Sequence, residues 1–247
     1  MTDFEYLSIT KHEEIAIVTI DRQKKLNALN TLLLKELEQG FTRLSEDDEL
    51  QGVILTGLGD KSFVAGADIE ELADLDMQTG RRGSEEGQRV FSLIEKFPRP
   101  VLAAINGYAL GGGFEMVLGC DLAVCSDEAQ FGLPEPKVGR LALDGGIVQL
   151  PRQISRKLAM GMLLTGRKIN AEEAYRNGLV NQVVPISELD NAVESWLKDI
   201  LECAPLSIRA VKDIIQQTFH MQPVDAQRSK LPGLVEALNS KDSIEGV

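Results

Sequence analysis

The sequence predicts an α/β protein whose larger core is followed by a smaller helical region. Short apolar runs alternate with helical patterns through the first half of the chain, which favours parallel strands joined by crossover helices. After residue 154, amphipathic helical patterns dominate instead. The length of 247 residues and the hydrophobic fraction of 43% are typical of a globular protein with a sizeable core.

Strands and helices alternate in the first half. Four short apolar runs predict strands, at residues 15–20, 53–56, 101–105 and 122–125. Two helices are predicted between them, over residues 31–44 and 85–97. Thr31 is the expected N-cap of the first helix, and Pro98 ends the second. His12 is expected in a polar turn before the first strand.

The second half is mainly helical. Helices are predicted over residues 155–164, 171–177, 188–203 and 207–219, and residues 180–184 form one short strand before a proline. We therefore divide the chain into an α/β core domain at 1–190 and a helical region at 191–247. No linker-like stretch separates the two parts, so they should pack closely.

The composition excludes several classes of function. A net charge of −12 argues against broad binding to nucleic acids or anionic membranes. Three cysteines without zinc-ligand spacing favour a reduced, cytoplasmic compartment, and neither a signal peptide nor a membrane span is recognisable. An anionic ligand would need local cations, for which Arg22, Lys24 and Lys25 are candidates; on charge alone, a solvated turn explains them equally well.

Two glycine-containing turns, at residues 63–69 and 106–115, each follow a predicted strand and precede a helical pattern. Free backbone N–H groups at helix starts attract negative charge, and glycine lets a ligand approach the backbone. Brought together, the turns could supply two N–H donors to one oxygen, an oxyanion hole suited to a thioester that becomes an enolate. For either turn alone, close crossing of a helix and a strand is an equally good explanation.

Two glutamates are the candidate acid/base groups. Glu115 lies in the first turn of the helix that the triple glycine would open, where an acid often only compensates the helix dipole. Glu135 lies between Pro134 and Pro136 in an apolar neighbourhood, where desolvation would raise its proton affinity. Each alone fits a capping or surface role better, but two carboxylates at one centre can divide acid and base roles.

Taken together, these segments resemble the crotonase superfamily, nearest to enoyl-CoA hydratases and carnitinyl-CoA dehydratase-like members. The matching motifs are LNAL at 26–29, AGAD at 65–68, NGYALGGGFE at 106–115, FGLPE at 131–135 and LTGRKINAEEAYRNGLVNQVV at 164–184. The resemblance covers nearly the whole chain. It implies a superhelix of repeated β-β-α units with a smaller helical C-terminal region, and homotrimers that often pair into hexamers.

The resemblance also implies a reaction and its residues. The backbone N–H groups of Ala67 and Gly112 would form the oxyanion hole. Glu115 would activate the water that attacks the β-carbon, and Glu135 would protonate the α-carbon. The chain would then be a lyase that reversibly hydrates a trans-2-enoyl-CoA to a 3-hydroxyacyl-CoA. No metal or redox cofactor is implied, because coenzyme A is part of the substrate.

By the same resemblance, one set of residues would contact coenzyme A: Lys24, Lys25, Leu26, Ala65, Asp68 and Ile69. The two lysines would be local partners for a phosphate. Leu143 and Asp144 would border the acyl pocket, where many hydratases have a stretch rich in proline and glycine. They would reshape the pocket and add a third acid. Relatives usually continue with a further helix, so the helical region is expected to lack the usual last one.

Several alternatives remain open from the sequence. Dehydration of a carnitinyl-CoA-type substrate and isomerisation of a 3-enoyl-CoA are close relatives of hydration, although the presence of both glutamates favours hydration. A nicotinamide-dependent oxidoreductase is disfavoured because the glycines do not fit GxGxxG. A non-catalytic scaffold is disfavoured because neither glutamate is lost.

Overall fold

The computed structural model describes residues 4–73, 77–229 and 231–245, which form two sheets and the helices around them. The strands are β1 (Leu7–His12), β2 (Ile15–Ile20), β3 (Gly52–Gly57), β4 (Ser62–Val64), β5 (Val101–Ile105), β6 (Tyr108–Leu110), β7 (Leu122–Ser126), β8 (Gln130–Gly132), β9 (Lys168–Asn170) and β10 (Gln182–Val184). The first sheet has the order β1-β2-β3-β5-β7-β10, and the second has the order β4-β6-β8-β9.

Helices follow the strands along the chain. They are α1 (Thr31–Ser45), α2 (Ile69–Ala73), α3 (Met77–Glu95), α4 (Gly112–Gly119), α5 (Gly146–Gln153), α6 (Arg156–Thr165), α7 (Ala171–Arg176), α8 (Leu189–Leu201), α9 (Pro205–Thr218), α10 (Pro223–Arg228), α11 (Pro232–Leu238) and α12 (Lys241–Glu245). In the part of the chain that the structure describes, no helix is both long enough and apolar enough to cross a membrane.

The chain repeats one unit, in which a strand of the first sheet is followed by a strand of the second sheet and then by helix. The first repeat is β3, β4 and α2–α3, the second is β5, β6 and α4, and the third is β7, β8 and α5. Within each sheet these strands pair in parallel. This is the α/β fold of repeated β-β-α units that the motifs implied.

Both faces of the first sheet are buried, so its central strands are continuous apolar runs. Successive side chains of β5 point to opposite faces. Val101, Ala103 and Ile105 pack with α1, α3 and α4 in one apolar cluster. Leu102 and Ala104 pack with α8 in a second cluster. The sheet is therefore held between two helical layers.

The N-cap predicted for α1 is wrong by one residue. The cap is Asn30, whose side-chain Oδ1 accepts a hydrogen bond of 2.9 Å from the amide of Leu33. Asn30 has the extended backbone that a cap requires, and Thr31 is already helical. Both residue types are good caps, so the sequence alone did not decide between them.

The position predicted for His12 is also wrong, because His12 ends β1 and pairs with Ile15 across a tight antiparallel turn. β1 is a largely exposed edge strand, and its mixed sequence LSITKH lacks a buried run. The three-residue strands β4, β6, β8 and β9 were not predicted either. Three residues are too few to establish a hydrophobic period.

The helical C-terminal part packs directly on the core. Leu189, Val193 and Leu197 of α8 are buried against the first sheet. In α9, the Lys212 ammonium donates to the carbonyl of Arg99 at 3.0 Å and to the carboxylate of Asp121 at 2.5 Å. The division proposed after residue 190 therefore falls inside α8, an element that belongs to the packing of the core.

Candidate active site

The candidate site lies where three parallel strands of the second sheet end. Strands β4, β6 and β8 are neighbours, with Val64 beside Ala109 and Leu110 beside Gly132 in the registers. Carboxyl ends of parallel strands meet at one edge, where ligands commonly bind in α/β proteins. The segments that follow these strands carry Ala67, Gly112 and Glu135, so the topology brings them to the same place.

The two glycine turns touch each other at this edge. Gly66 and Gly111 have φ values of +104° and +52°. A side chain is strained at such angles. A Cβ on Gly66 would lie 3.2 Å from the carbonyl oxygen of Leu110, and one on Gly111 would lie 3.5 Å from the Cα of Gly66. The two turns are therefore in contact, and their backbone angles favour glycine at both positions.

The amides of Ala67 and Gly112 donate no hydrogen bond to any described residue. The amide of Asp68 donates to Leu29 at 2.7 Å, and that of Glu115 donates to Gly111 at 2.9 Å. Gly112 is the first residue of α4, so its N–H has no acceptor within the helix. Two N–H donors are thus available at adjoining turns, as an oxyanion hole requires.

Glu115 is held deep in this site. Glu115 is only 4% exposed, and its Oε1 accepts a hydrogen bond of 2.8 Å from the amide of Gly146 at the start of α5. Burial, then the negative charge of Asp144, raises the pKa of Glu115 to about 8, with a smaller contribution from Glu135 and an opposing one from the Gly146 amide. At neutral pH this carboxyl group is mostly protonated.

Glu135 faces the glycine turn from the other side. A Cβ on Gly111 would lie 2.8 Å from its Oε1. Its Oε2 is buried and has no hydrogen-bond partner among the described residues. Burial, and to a lesser degree the charge of Asp144, raises the pKa of Glu135. A buried carboxyl oxygen without a protein partner marks a position where a substrate donor would be favourable.

Asp144 is the third carboxyl group of the site. Burial raises its pKa to about 6, against the effect of a hydrogen bond of 3.1 Å from the hydroxyl of Ser84 to Oδ1. A Cβ on Gly87 would lie 2.5 Å from Oδ2, so glycine makes room for this carboxylate. Beside it, Gln88 donates to the carbonyl of Leu143 at 2.8 Å, while the Leu143 side chain is half exposed.

Sequence reasoning missed the contribution of α3. Ser84, Gly87 and Gln88 face Asp144 and Leu143, yet no motif marks them. Their spacing of three and four residues places them on one helix face. This spacing of small and amide side chains is the sequence feature from which the contribution of α3 could have been predicted.

Five of the six residues predicted to contact coenzyme A, all except Asp68, lie beside the turn that carries Ala67, at the rim of the site. Leu26 and Ile69 are 41% and 81% exposed, and the carbonyl of Leu26 accepts a hydrogen bond of 3.1 Å from the amide of Ala65. Lys24 is exposed, and Lys25 is ion-paired with Glu70. The rim therefore combines exposed apolar side chains with two lysines.

Asp68, predicted to lie in the same set, is placed differently. Its carboxylate is buried at 5% exposure and forms an ion pair of 2.7 Å with Arg22. Arg22, a candidate cation for an anionic ligand, thus has a carboxylate partner within the chain. The pair lies directly beside Ala67.

Comparison with known proteins decides the family. The model of the family described as enoyl-CoA hydratase/isomerase matches residues 10–247. The chain belongs to that family. It is 41% identical over 209 residues to the short-chain-enoyl-CoA hydratase of Clostridium acetobutylicum, which covers 85% of this chain and 80% of the relative.

Two further proteins are similar to this enoyl-CoA hydratase/isomerase family member over nearly its full length. It is 37% identical to the carnitinyl-CoA dehydratase of Escherichia coli K12, covering 98% of this chain and 94% of the relative. The crystal structure of an enoyl-CoA hydratase from Bacillus anthracis superposes with a TM-score of 0.94 at 32% identity, covering 98% and 94% of the two chains. The resemblance to the crotonase superfamily and its fold are therefore confirmed.

The site of this family member offers three things in one place. Two free amides can donate hydrogen bonds to an oxyanion, two glutamates with raised pKa values can exchange protons, and an exposed rim can hold a larger group. The oxidoreductase class considered from the sequence is a different family from the one to which the chain belongs.

Proposed function

We propose that this protein reversibly hydrates trans-2-enoyl-CoA thioesters to 3-hydroxyacyl-CoA. The observation that carries the proposal is the placement of Glu115 and Glu135, both with raised pKa values, around two adjoining glycine turns with free amides. Membership of the enoyl-CoA hydratase/isomerase family supports this reaction class. No metal or redox cofactor takes part in the proposed chemistry.

In the proposed mechanism, the thioester oxygen accepts hydrogen bonds from the amides of Ala67 and Gly112. Ionised Glu115 takes a proton from water as the water oxygen bonds to the β-carbon. The electron pair of the double bond moves to form an enolate, whose charge the two amides stabilise. Protonated Glu135 then delivers its proton to the α-carbon, and the carbonyl re-forms.

This cycle needs one glutamate with a proton and one without. Like charges in a buried site favour sharing a single proton between two carboxyl groups, and the raised pKa values are consistent with that. Because Glu115 is mostly protonated at neutral pH, hydration starts from the smaller fraction in which Glu115 is ionised and Glu135 keeps its proton, and that fraction first increases with pH. Dehydration uses the opposite protonation states by microscopic reversibility.

Coenzyme A would lie along the rim beside Leu26, Ala65 and Ile69. Lys24 and Lys25 would attract its phosphates, which offsets the net negative charge of the chain locally. The ion pair of Lys25 with Glu70 is exposed, so exchanging it for a phosphate costs little.

Dehydration of a carnitinyl-CoA-type substrate is the second candidate. Two observations favour it: the 37% identity with a carnitinyl-CoA dehydratase over 98% of this chain, and Asp144 as a third carboxyl group beside the two glutamates. A carboxylate there suits an acyl group that carries a cation or a hydrogen-bond donor. Isomerisation of a 3-enoyl-CoA is less well supported, because it can use one carboxylate and this site has both glutamates.

One assay separates these functions. Purified protein is incubated with crotonyl-CoA, a longer trans-2-enoyl-CoA, a trans-3-enoyl-CoA and the trimethylammonio-substituted crotonyl-CoA, and the products are identified by mass and chromatography. We expect water addition to crotonyl-CoA. Preference for the cationic ester would favour the second candidate, and conversion of the 3-enoyl ester without a mass change would favour isomerisation. No reaction with any ester would refute the proposal.

A further inference from the structure

A buried ion pair joins the two chain segments that surround the Ala67 amide. Arg22 Nη2 lies 2.7 Å from Asp68 Oδ2, and the two side chains are 13% and 5% exposed. The other guanidinium nitrogen, Nη1, donates to the carbonyl of Ala28 at 3.0 Å. The second carboxylate oxygen of Asp68 accepts from the amide of Glu70 at 3.0 Å. The guanidinium and the carboxylate therefore each have two partners within the chain.

Backbone hydrogen bonds hold the same two segments together. Ala65 donates to Leu26 at 3.1 Å, Leu29 donates to Gly66 at 2.8 Å, and Asp68 donates to Leu29 at 2.7 Å. These bonds flank Ala67 on both sides, while the Ala67 amide itself donates to no described residue. The direction of that free N–H is consequently set by how the two segments are clamped.

The guanidinium fork closes the clamp, since it contacts Ala28 in one segment and Asp68 in the other. Arg22 is further restrained by the ring of Tyr6, whose centroid lies 5.1 Å from its Cζ. A planar fork can satisfy two acceptors at fixed angles, which a lysine ammonium does less well. The Arg22 fork therefore fixes the orientation of the Asp68 carboxylate and also attracts its charge.

We propose that Arg22 and Asp68 are positioning residues that aim the Ala67 amide at the thioester oxygen. This inference rests on the proposed function, in which that amide is half of the oxyanion hole. It assigns Asp68 a role through Arg22, in place of a direct contact with coenzyme A. A buried carboxylate already paired on both oxygens has little to offer an anionic ligand.

The charge state of Asp68 supports this role. Burial alone would raise its pKa, but the hydrogen bonds from Arg22 and from the Glu70 amide outweigh burial and hold the pKa below its ordinary value. The carboxylate therefore stays ionised at neutral pH and keeps its ion pair throughout the range in which hydration is measured.

Two variants and one control test the proposal. Asp68→Asn removes the charge of the pair, and Arg22→Lys keeps the charge but removes the fork. Glu38→Gln is the control, because it breaks an exposed ion pair with Arg89 on α1 and α3. Thermal unfolding and the affinity for free coenzyme A establish that each variant is folded and binds.

The first readout is the kinetics of crotonyl-CoA hydration. We expect kcat to fall about 10- to 100-fold in Asp68→Asn and in Arg22→Lys, because a misplaced donor loses part of its stabilisation of the transition state. KM should change less than about threefold, since ground-state binding depends little on that donor. Glu38→Gln should behave as the wild type.

The second readout is the infrared carbonyl band of bound butyryl-CoA labelled with ¹³C at the thioester carbon. This saturated ester cannot be hydrated, and its band moves to lower wavenumber when N–H donors polarise the carbonyl. We expect the band in both variants to lie at higher wavenumber than in the wild type. A change of fold stability alone would not move it in this way.

The outcomes separate the inference from the function on which it rests. If Asp68→Asn raises KM and weakens coenzyme A binding while kcat and the carbonyl band stay unchanged, Asp68 contacts coenzyme A and the inference is wrong. If all variants match the wild type, the pair positions nothing. If the wild type itself binds butyryl-CoA without polarising its carbonyl, the oxyanion hole and the proposed function both fail.

Discussion

At the scale of single residues, the protonation of Glu115 is set by groups from two other parts of the chain. Asp144 and Glu135 place negative charge near it, and the Gly146 amide stabilises its ionised form. Burial is the largest influence and acts in the same direction as the charges. A base in such surroundings gains activity as the pH rises.

Hydration should therefore depend on pH in a way that Asp144 controls. For the wild type, kcat/KM for crotonyl-CoA hydration should rise as Glu115 loses its proton and fall at higher pH as Glu135 loses the proton that it must deliver. Asp144→Asn removes a neighbouring negative charge, which lowers the pKa of Glu115 and moves the midpoint to lower pH. The control is Asp199→Asn, which replaces an exposed acid on α8. If the midpoint does not move in Asp144→Asn, Asp144 and Glu115 are not coupled.

How far the site could be predicted depends on sequence separation. Glu115 and Gly112 lie in one motif, so a contiguous pattern could nominate them. Ser84 meets Asp144 across 60 residues, and no short motif records such a contact. Arg22 was a candidate partner for an anionic ligand or part of a solvated turn, but it is paired with Asp68 within the chain. Pairing between distant segments is a property of the fold and not of the local pattern.

At the scale of elements, the glycines of the second turn have two separate uses. Gly111 has a positive φ and leaves room for Oε1 of Glu135, from which a Cβ would lie 2.8 Å, whereas a Cβ on Gly113 would lie 2.1 Å from the carbonyl oxygen of Val64. Helix α4 therefore crosses β4 with no room for a side chain. Of the two explanations left open by the sequence, tight packing of a helix on a strand therefore applies at Gly113, while a ligand site at the turn stays a prediction.

Gly113→Ala should accordingly destabilise the protein. Overpacking of this kind lowers the free energy of unfolding by about 1–3 kcal/mol, and here the clash is with backbone, which cannot rotate away. Urea unfolding measures the change. The matched control is Gly161→Ala in α6, where nothing lies within 4 Å of the added Cβ and helix propensity predicts a gain of about 0.5–1 kcal/mol. Equal stability of the two variants would contradict the tight crossing.

A local apolar run, more than strand length, explains which strands the sequence predicted, because β1 has six residues and was missed whereas β10 has three and was predicted within 180–184. Strands β2, β3, β5 and β7 have five or six residues and a buried apolar run, and each was predicted. The three-residue strands β4, β6 and β8 were not, although they deliver the residues of the site. Their position follows from pairing in the second sheet, which local pattern does not reveal.

At the scale of the whole molecule, the net charge of −12 opposes an anionic substrate. Lys24 at the rim should compensate for this locally. We expect Lys24→Gln to raise KM for crotonyl-CoA up to about fivefold with kcat unchanged, since an exposed charge pair contributes up to about 1 kcal/mol. Added salt should reduce the difference. Lys198→Gln, the same change at an exposed position of α8, should leave KM unchanged, and an equal effect of both would mean that only net charge matters.

Assembly is the other prediction at this scale. Helix α9 and its C-cap residue Phe219 expose Val211, Ile215 and Phe219 at 57%, 56% and 60%, and their spacing of four residues puts them on one face. An exposed apolar stripe is typical of a surface that another protein covers. We propose that it contributes to the homotrimer or hexamer that the resemblance implies. Light scattering should give three or six chains, and Ile215→Lys should reduce the mass; a wild-type monomer at micromolar concentration would contradict the assembly.

The central claim, that two glutamates share the proton transfers of hydration, is tested most directly by the rates of Glu115→Gln, Glu135→Gln and the double variant with crotonyl-CoA. Each single variant should lose about 10²- to 10⁴-fold in kcat, the usual contribution of a general acid or base. The double variant should lose less than the product of the two, because residues that act as a unit are not additive. Full activity in either single variant would contradict the claim.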